Sequence, residues 1–172
     1  IAKKYGADII PRPHNLAQDD SPEWLAWRHA VKWVEAKYGS FDVFLSLPTT
    51  SPMRNKYDIN KVLEMLDNQT DVVLTMTPAS RSPWFNMVTI NRDGYASLVK
   101  QNKNKIQRRQ DAPAAYDLTT VAYATRPQFI LSHGSVFDGR VRAVEIHRER
   151  AFDIDTELDW DIVECMIRKP TG

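Results

Sequence analysis

Six carboxylates fall within the thirteen residues Phe152–Glu164, FDIDTELDWDIVE: Asp153, Asp155, Glu157, Asp159, Asp161 and Glu164. If Phe152–Asp155 is the end of a strand, a period of two puts Asp153 and Asp155 on the same side. Two carboxylates side by side repel each other unless a cation lies between them. A hard divalent ion such as Mg²⁺ favours such oxygens and takes substrate phosphate as part of its shell. The competing reading is a helix start. Thr156 would be the N-cap, and Glu157, Asp159 and Asp161 would lie where the helix dipole favours negative charge. Spacing alone leaves both readings open.

Three further stretches carry groups with chemistry. Pro48–Arg54, PTTSPMR, offers the hydroxyls of Thr50 and Ser51 and the guanidinium of Arg54 on a loop stiffened by two prolines. Hydroxyls with arginine suit a phosphorylated or polyhydroxylated ligand, but a proline-braced turn ahead of a helix reads the same way. Lys100, Lys103, Lys105, Arg108 and Arg109 form a basic run without helical period. No aromatic residue falls within that run, so it offers no stacking platform for nucleic acid; it is either a solvated loop or a clamp for a small anion, with Arg109 able to grip a carboxylate bidentately. Arg12 could read a base or phosphate, or pair with Asp19 or Asp20. The four histidines show no metal-ligand spacing, and Cys165, the single cysteine, excludes an internal disulfide.

The elements that must hold these groups alternate. A strand at Asp8–Ile10 is expected, then a helix from Pro22 to Tyr38 capped by Asp20 or Ser21, with Trp24, Trp27, Val31, Val34 and Tyr38 on one face. A buried strand at Phe41–Leu47 follows, then a helix at Tyr57–Asp67 with Ile59, Val62, Leu63 and Leu66 inward, and a strand at Asp71–Thr77. Strand–helix–strand alternation argues for a parallel sheet with right-handed crossovers. Asn91-Arg92-Asp93-Gly94 then signals a hairpin. Asp117–Ala124 and Val141–Ile146 read as further strands, Arg126–Ser132 as a short helix and Thr156–Arg168 as the last helix. In such sheets ligands sit at the carboxyl ends of strands, where Arg12–Ser21, Pro48–Arg54 and Asp153–Asp155 would converge.

The 172 residues suffice for one domain with a core. A net charge of +1 points to no polyanionic partner, and no apolar run is long enough for a membrane span. The expectation is therefore a cytoplasmic protein without nucleic-acid or membrane partners. The opening IAKKYGADII reads as a helix tail, a glycine stop and a strand, from which an N-terminal portion ahead of Ile1 is expected.

Taken together, four segments resemble the acylneuraminate cytidylyltransferases, which activate nine-carbon acidic sugars. ADIIPRPHNLAQDDSP is similar to that family's strand, Arg-Pro and "LA-x-D" stretch; LPTTSPMR to its "PTSPLR" loop; RRQDAPAAYDLTTVAYA to its Arg-Gln segment; and FDIDTELDWDIVE to its closing "DIDTExD". Ser82–Val88 looks closest to members handling legionaminic- or pseudaminic-type sugars. The resemblance implies a Rossmann-like, mainly parallel α/β sheet with crossover helices, here lacking its first strand or strands, in one domain over residues 1–172. A hairpin insertion at about 84–115 would reach into the neighbour's site of a homodimer. It implies transfer of CMP from CTP to the anomeric hydroxyl of a 2-keto sugar acid, with release of pyrophosphate. Asp153 and Asp155 would hold Mg²⁺, Arg109 would bind the sugar carboxylate, Arg12 and Ser21 would border the nucleotide, and Thr50, Ser51 and Thr119 would line the sugar pocket.

The sequence departs from the family at three points. A glycine- and basic-rich phosphate loop is not found, a glutamine before the Pro-Thr-Ser loop is absent, and the usual Asn-Gly is Thr119-Thr120. Two other readings stay open: a non-catalytic remnant that binds sugar or forms dimers, and a cytidylyltransferase for an eight-carbon sugar acid.

Overall fold

The computed structural model describes residues 1–18, 20–101 and 108–168. Its centre is a four-stranded sheet in the order β1 (Phe44–Ser46), β5 (Tyr116–Thr125), β2 (Val72–Pro78), β6 (Val141–Glu145). β2 pairs with β6 in parallel, whereas β5 is antiparallel to both β1 and β2. Three strands therefore run one way, and β5 runs against them from between two of them. The alternation in the sequence reads the direction of β1, β2 and β6 correctly. It gives no hint that a later strand separates β1 from β2.

Strand alternation assigns the two faces. Val73 faces α2 (Lys56–Met65) within a cluster of Val62, Val121, Ala124, Val144 and Ile146. Its neighbour Val72 points the other way, to Trp24, Trp27 and Val31 of α1 (Glu23–Tyr38) and to Phe129 and Ile130 of α3 (Pro127–Ser132). Helices thus cover both faces of the sheet, as buried β2 requires. The aromatic packing is tight on the α1 side, with Trp27 5.4 Å from Phe44 and 5.5 Å from Tyr123 between ring centroids.

The β2–β5 ladder slips between Val73 and Thr75, because β5 spends five residues, from Ala124 to Thr119, where β2 spends two. The backbone groups freed by this bulge find a side chain instead. The Thr75 hydroxyl, fully buried, accepts from the Ala122 amide (3.2 Å) and from the Thr119 hydroxyl (2.7 Å), and lies 3.1–3.2 Å from the Thr119 and Ala122 carbonyls. A buried bulge needs such substitutes, since an unpaired backbone group there costs about as much as a lost hydrogen bond.

Four local expectations change. Asp8–Ile10 forms no strand; it has no ladder partner, and Asp8 instead accepts from Lys37 (3.3 Å) and from the Tyr38 hydroxyl, which leaves Tyr38 exposed rather than on the apolar face of α1. Neither Asp20 nor Ser21 caps α1, whose N-cap is Pro22; the Ser21 hydroxyl lies one residue too early and bonds within its own loop, to the Asn15 carbonyl and the Gln18 amide (both 3.1 Å). On α2 the fully buried positions are Asp58 and Val62, while Leu63 faces out. Phe152–Asp155 forms no strand and belongs to no ladder among the described residues. The hairpin is formed as expected by β3 (Val88–Ile90) and β4 (Ala96–Leu98), with Gly94 at φ 87° and the Asn91 side chain accepting from the Asp93 and Tyr95 amides.

Candidate active site

The carboxyl ends of β1 and β2 open onto the same edge of the sheet, beside the segment that follows β6. Pro48–Arg54 leaves β1 there, and the chain after β6 returns through a 3₁₀ turn at Arg148–Arg150 to Asp153. The two segments touch: the Ile154 amide donates to the Thr50 carbonyl at 2.9 Å. Two of the expected stretches are thereby brought together.

Within the Pro48–Arg54 loop most polar groups serve the loop itself. Arg54 donates to the Ser51 carbonyl (2.9 Å) and to the Pro48 carbonyl, closing the turn. Burial pushes its guanidinium below the usual pKa, with the charge of Asp153 pulling the other way, which places these two side chains in each other's field. Ser51 is fully buried and bonds the Thr120 hydroxyl at 2.6 Å. Thr119 is buried inside the sheet on Thr75. Thr50, by contrast, lines an open cleft of about 390 Å³ with Arg12, Glu23, Trp27, Ser46 and Pro48. Arg12 makes no ion pair with Asp20; Asp19, Lys103 and Lys105 lie outside the described residues, as does the side chain of Arg109, whose backbone belongs to the 3₁₀ turn Arg109–Asp111. Ser21 lies in the loop just before α1, two residues ahead of Glu23 of the cleft.

Sequence reasoning passed over two residues beside this cleft. Glu23 accepts from the Trp27 indole at 3.1 Å. Tyr123 is half-buried, and its hydroxyl is pushed above the usual pKa by burial first and then by the charges of Glu23 and Asp153. Tyr123 stands opposite Ser46 in the sheet and packs on Trp27, two residues that line the cleft. Only its register opposite Ser46, set by the sheet, could have revealed it. A second cavity of about 270 Å³ opens at the end of β2, lined by Pro78, Arg81, Gln110, Pro113 and Tyr116.

The acidic stretch divides. Asp159, the third residue of α4, completes the cap that Thr156 begins: its carboxylate accepts from the Thr156 amide (2.8 Å), the Thr156 hydroxyl (2.7 Å) and the Asp155 amide (3.3 Å), while its own amide donates back to the Thr156 hydroxyl (3.3 Å). That reciprocal pair is a capping box at the start of α4 (Glu157–Arg168). Asp153 is different. It is partly buried, and its Oδ1 is sealed from solvent without any hydrogen-bond partner. A buried carboxylate oxygen without a partner is uncommon and calls for a ligand, an ion or a water to complete it. Asp155 is exposed. Among the described residues no group of three or more His, Cys, Asp or Glu side chains could hold a metal. A cation would here have one or two carboxylates from the protein and would draw the rest of its shell from substrate and water. Mg²⁺ accepts that arrangement, so the donor set fits it.

No family model matches the chain. The chain is 33% identical to post-translational flagellin modification protein B of Campylobacter coli, over 98% of its own length and 72% of that protein's. It is 32% identical to CMP-N,N'-diacetyllegionaminic acid synthase of Campylobacter jejuni, over 97% of its length and 71% of that protein's. Among solved structures, a CMP:2-keto-3-deoxy-manno-octonic acid synthetase in complex with CTP superposes with a TM-score of 0.57 at 14% identity, over 96% of this chain and 74% of the other; this likeness concerns the fold. With the convergence of Pro48–Arg54 and Asp153 at one sheet edge, these relationships show that the chain belongs to the acylneuraminate cytidylyltransferase family of CMP-sugar-acid synthases.

Proposed function

We propose that this enzyme transfers CMP from CTP to the anomeric hydroxyl of a nine-carbon 2-keto sugar acid of the legionaminic type, releasing pyrophosphate. The observation that carries the reading is the unpartnered buried oxygen of Asp153 at the sheet's carboxyl edge. The name of the Campylobacter jejuni relative supports the choice of sugar.

Phosphoryl transfer leaves the protein little covalent work, so positioning and charge dominate. Asp153 and Asp155 would hold Mg²⁺, which when bound neutralises the phosphates of the nucleotide. Arg12 and the loop around Ser21 would border the nucleotide in the cleft beside β1. Thr50 would face the sugar there, while Ser51 and Thr119, whose hydroxyls are bonded to Thr120 and Thr75, would support the pocket from within the fold instead of lining it. Arg109 would take the sugar carboxylate with its planar fork. The domain would be one unit over residues 1–172 acting as a homodimer, with about 84–115 as the dimerising insertion. In support, among the described residues the two hairpin strands pair only with each other and leave Val88, Ile90 and Tyr95 exposed, an apolar surface of the kind that marks an interface. A cytoplasmic location would suit the exposed free thiol of Cys165 and the charged substrates. No helix among the described residues is long and apolar enough to cross a membrane.

The test is pyrophosphate release from CTP across a panel of nine- and eight-carbon sugar acids, with calorimetric titration of CTP with and without Mg²⁺. Release should require a nine-carbon acid and the metal, and Asp155→Asn should abolish the metal-dependent turnover while leaving the fold intact. Binding of CTP that ignores Mg²⁺, or wild-type turnover in Asp155→Asn, would remove the carboxylates from the proposed role.

A further inference from the structure

Asp58 is a carboxylate that the proposed reaction does not use, yet its side chain is 1% exposed. It lies in the first turn of α2. It accepts from the Asn55 amide (3.2 Å) and takes a two-pronged grip from Arg150, whose Nε lies 2.9 Å from Oδ2 and whose Nη2 lies 3.0 Å from Oδ1. Arg150 ends the 3₁₀ turn three residues before Asp153, and Asp58 stands four residues after Arg54. The next tie in sequence after Arg150 is the Ile154 amide on the Thr50 carbonyl. Two ties therefore join the segment 50–58 to the segment 150–154, one on each side of Asp153. Between them Asp153 has an oxygen that makes no bond of its own. No hydrogen bond at that atom fixes its place, so the ties on its two flanks carry more of that task.

We infer that the Asp58–Arg150 pair is a positioning device for Asp153: it sets the arm carrying the metal-binding carboxylate against the loop that lines the cleft. The inference rests on the proposed role of Asp153. A bidentate arginine–carboxylate pair suits the task because its two parallel bonds fix orientation as well as distance. Lysine would keep the charge and lose the fork. Groups hydrogen-bonded to a metal ligand are worth about 10- to 100-fold in metal affinity; a pair that acts through the backbone between Arg150 and Asp153 is expected at the lower end of that range.

The experiment compares the whole chain with Arg150→Lys, Asp153→Asn and, as a control, Arg142→Lys, which alters an exposed ion pair to Asp67 beside β6. Two quantities are measured: hydrogen exchange of the Ile154 amide, and the affinity for Mn²⁺ in the presence of CTP, followed by electron paramagnetic resonance. Arg150→Lys should speed Ile154 exchange and weaken Mn²⁺ about tenfold, with unchanged circular dichroism; Arg142→Lys should do neither. Unchanged exchange and affinity in Arg150→Lys would overturn the inference. So would exchange that accelerates throughout the domain, because the pair would then hold the fold and not the arm. If Asp153→Asn binds Mn²⁺ like the parent, the proposed role of Asp153 fails and this inference with it. Binding lost in Asp153→Asn but kept in Arg150→Lys sinks the positioning role alone.

Discussion

Two neighbouring regions, the arm before Thr156 and the helix start after it, share one composition and are held by opposite means. In the helix start, Asp159 spends its carboxylate on groups three and four residues away, and the structure closes locally. In the arm, Asp153 makes no hydrogen bond through its buried oxygen and is placed by contacts with distant segments, Arg150 on Asp58 and Ile154 on Thr50. Three local bonds on Oδ2 tie the Asp159 carboxylate to its own helix start and lower its basicity towards a ligand. The Oδ1 of Asp153, enclosed by its surroundings and without a bond, is free to accept one. The difference lies in what each side chain has left to offer, not in charge or spacing.

The contrast breaks most directly by exchange of each acid for its amide. Asp153→Asn should lower CTP-dependent pyrophosphate release roughly 100- to 1000-fold, the scale of losing one charge-stabilising group at a reacting phosphate. Asp159→Asn should leave turnover near that of the parent. Equal losses in a steady-state assay would erase the distinction. The next effect concerns how the arm is held. Asp58→Ala strands the Arg150 guanidinium and removes half of the α2 capping box. A sealed pair broken this way costs about 3–5 kcal/mol; Arg150 keeps about a third of its side chain in water and can rehydrate, so about 2–3 kcal/mol is expected in urea unfolding. A loss below about 0.5 kcal/mol, the scale of an ordinary surface substitution, would mean that the arm is held without the pair.

The sequence is informative where structure is local. Thr156 and the acids after it announce the α4 cap, Asn91–Gly94 announces the hairpin, and Trp24, Trp27 and Val31 announce the buried stripe of α1. It is silent where a partner is distant. Asp8–Ile10 has strand-like residues but joins no ladder among the described residues, and β5 enters between β1 and β2 because of ladder partners that its own residues do not encode. Asp58 follows Asn55 at the spacing of a capping box, so its cap was readable; its arginine, 92 residues away, was not. The same limit explains Thr119. Its hydroxyl is drawn inward by Thr75 at a bulge that exists only once two strands have met.

The smallest effect tests the local side of the contrast. Thr156→Ala should cost about 1 kcal/mol, the usual worth of an N-cap, with no change in turnover. Its pH signature has a definite sign. The Thr156 hydroxyl first, and then the Thr156 and Asp155 amides, hold the Asp159 carboxyl below its ordinary value of 3.8. A carboxyl whose pKa is depressed by folding contributes its stability above the unfolded value and loses it as pH falls through the folded one. The cap should therefore be at full strength near neutrality and fade below pH 3.8. Asp71, held down to about 2 by Arg140, fades over a similar range in every variant, so the reading is the difference between parent and Thr156→Ala. That difference, from thermal melts between neutral and acid pH, should be constant above about pH 5 and shrink on acidification. A difference that grows towards low pH would show that Asp159 is not held by the cap, and the two regions would then no longer differ in the way described.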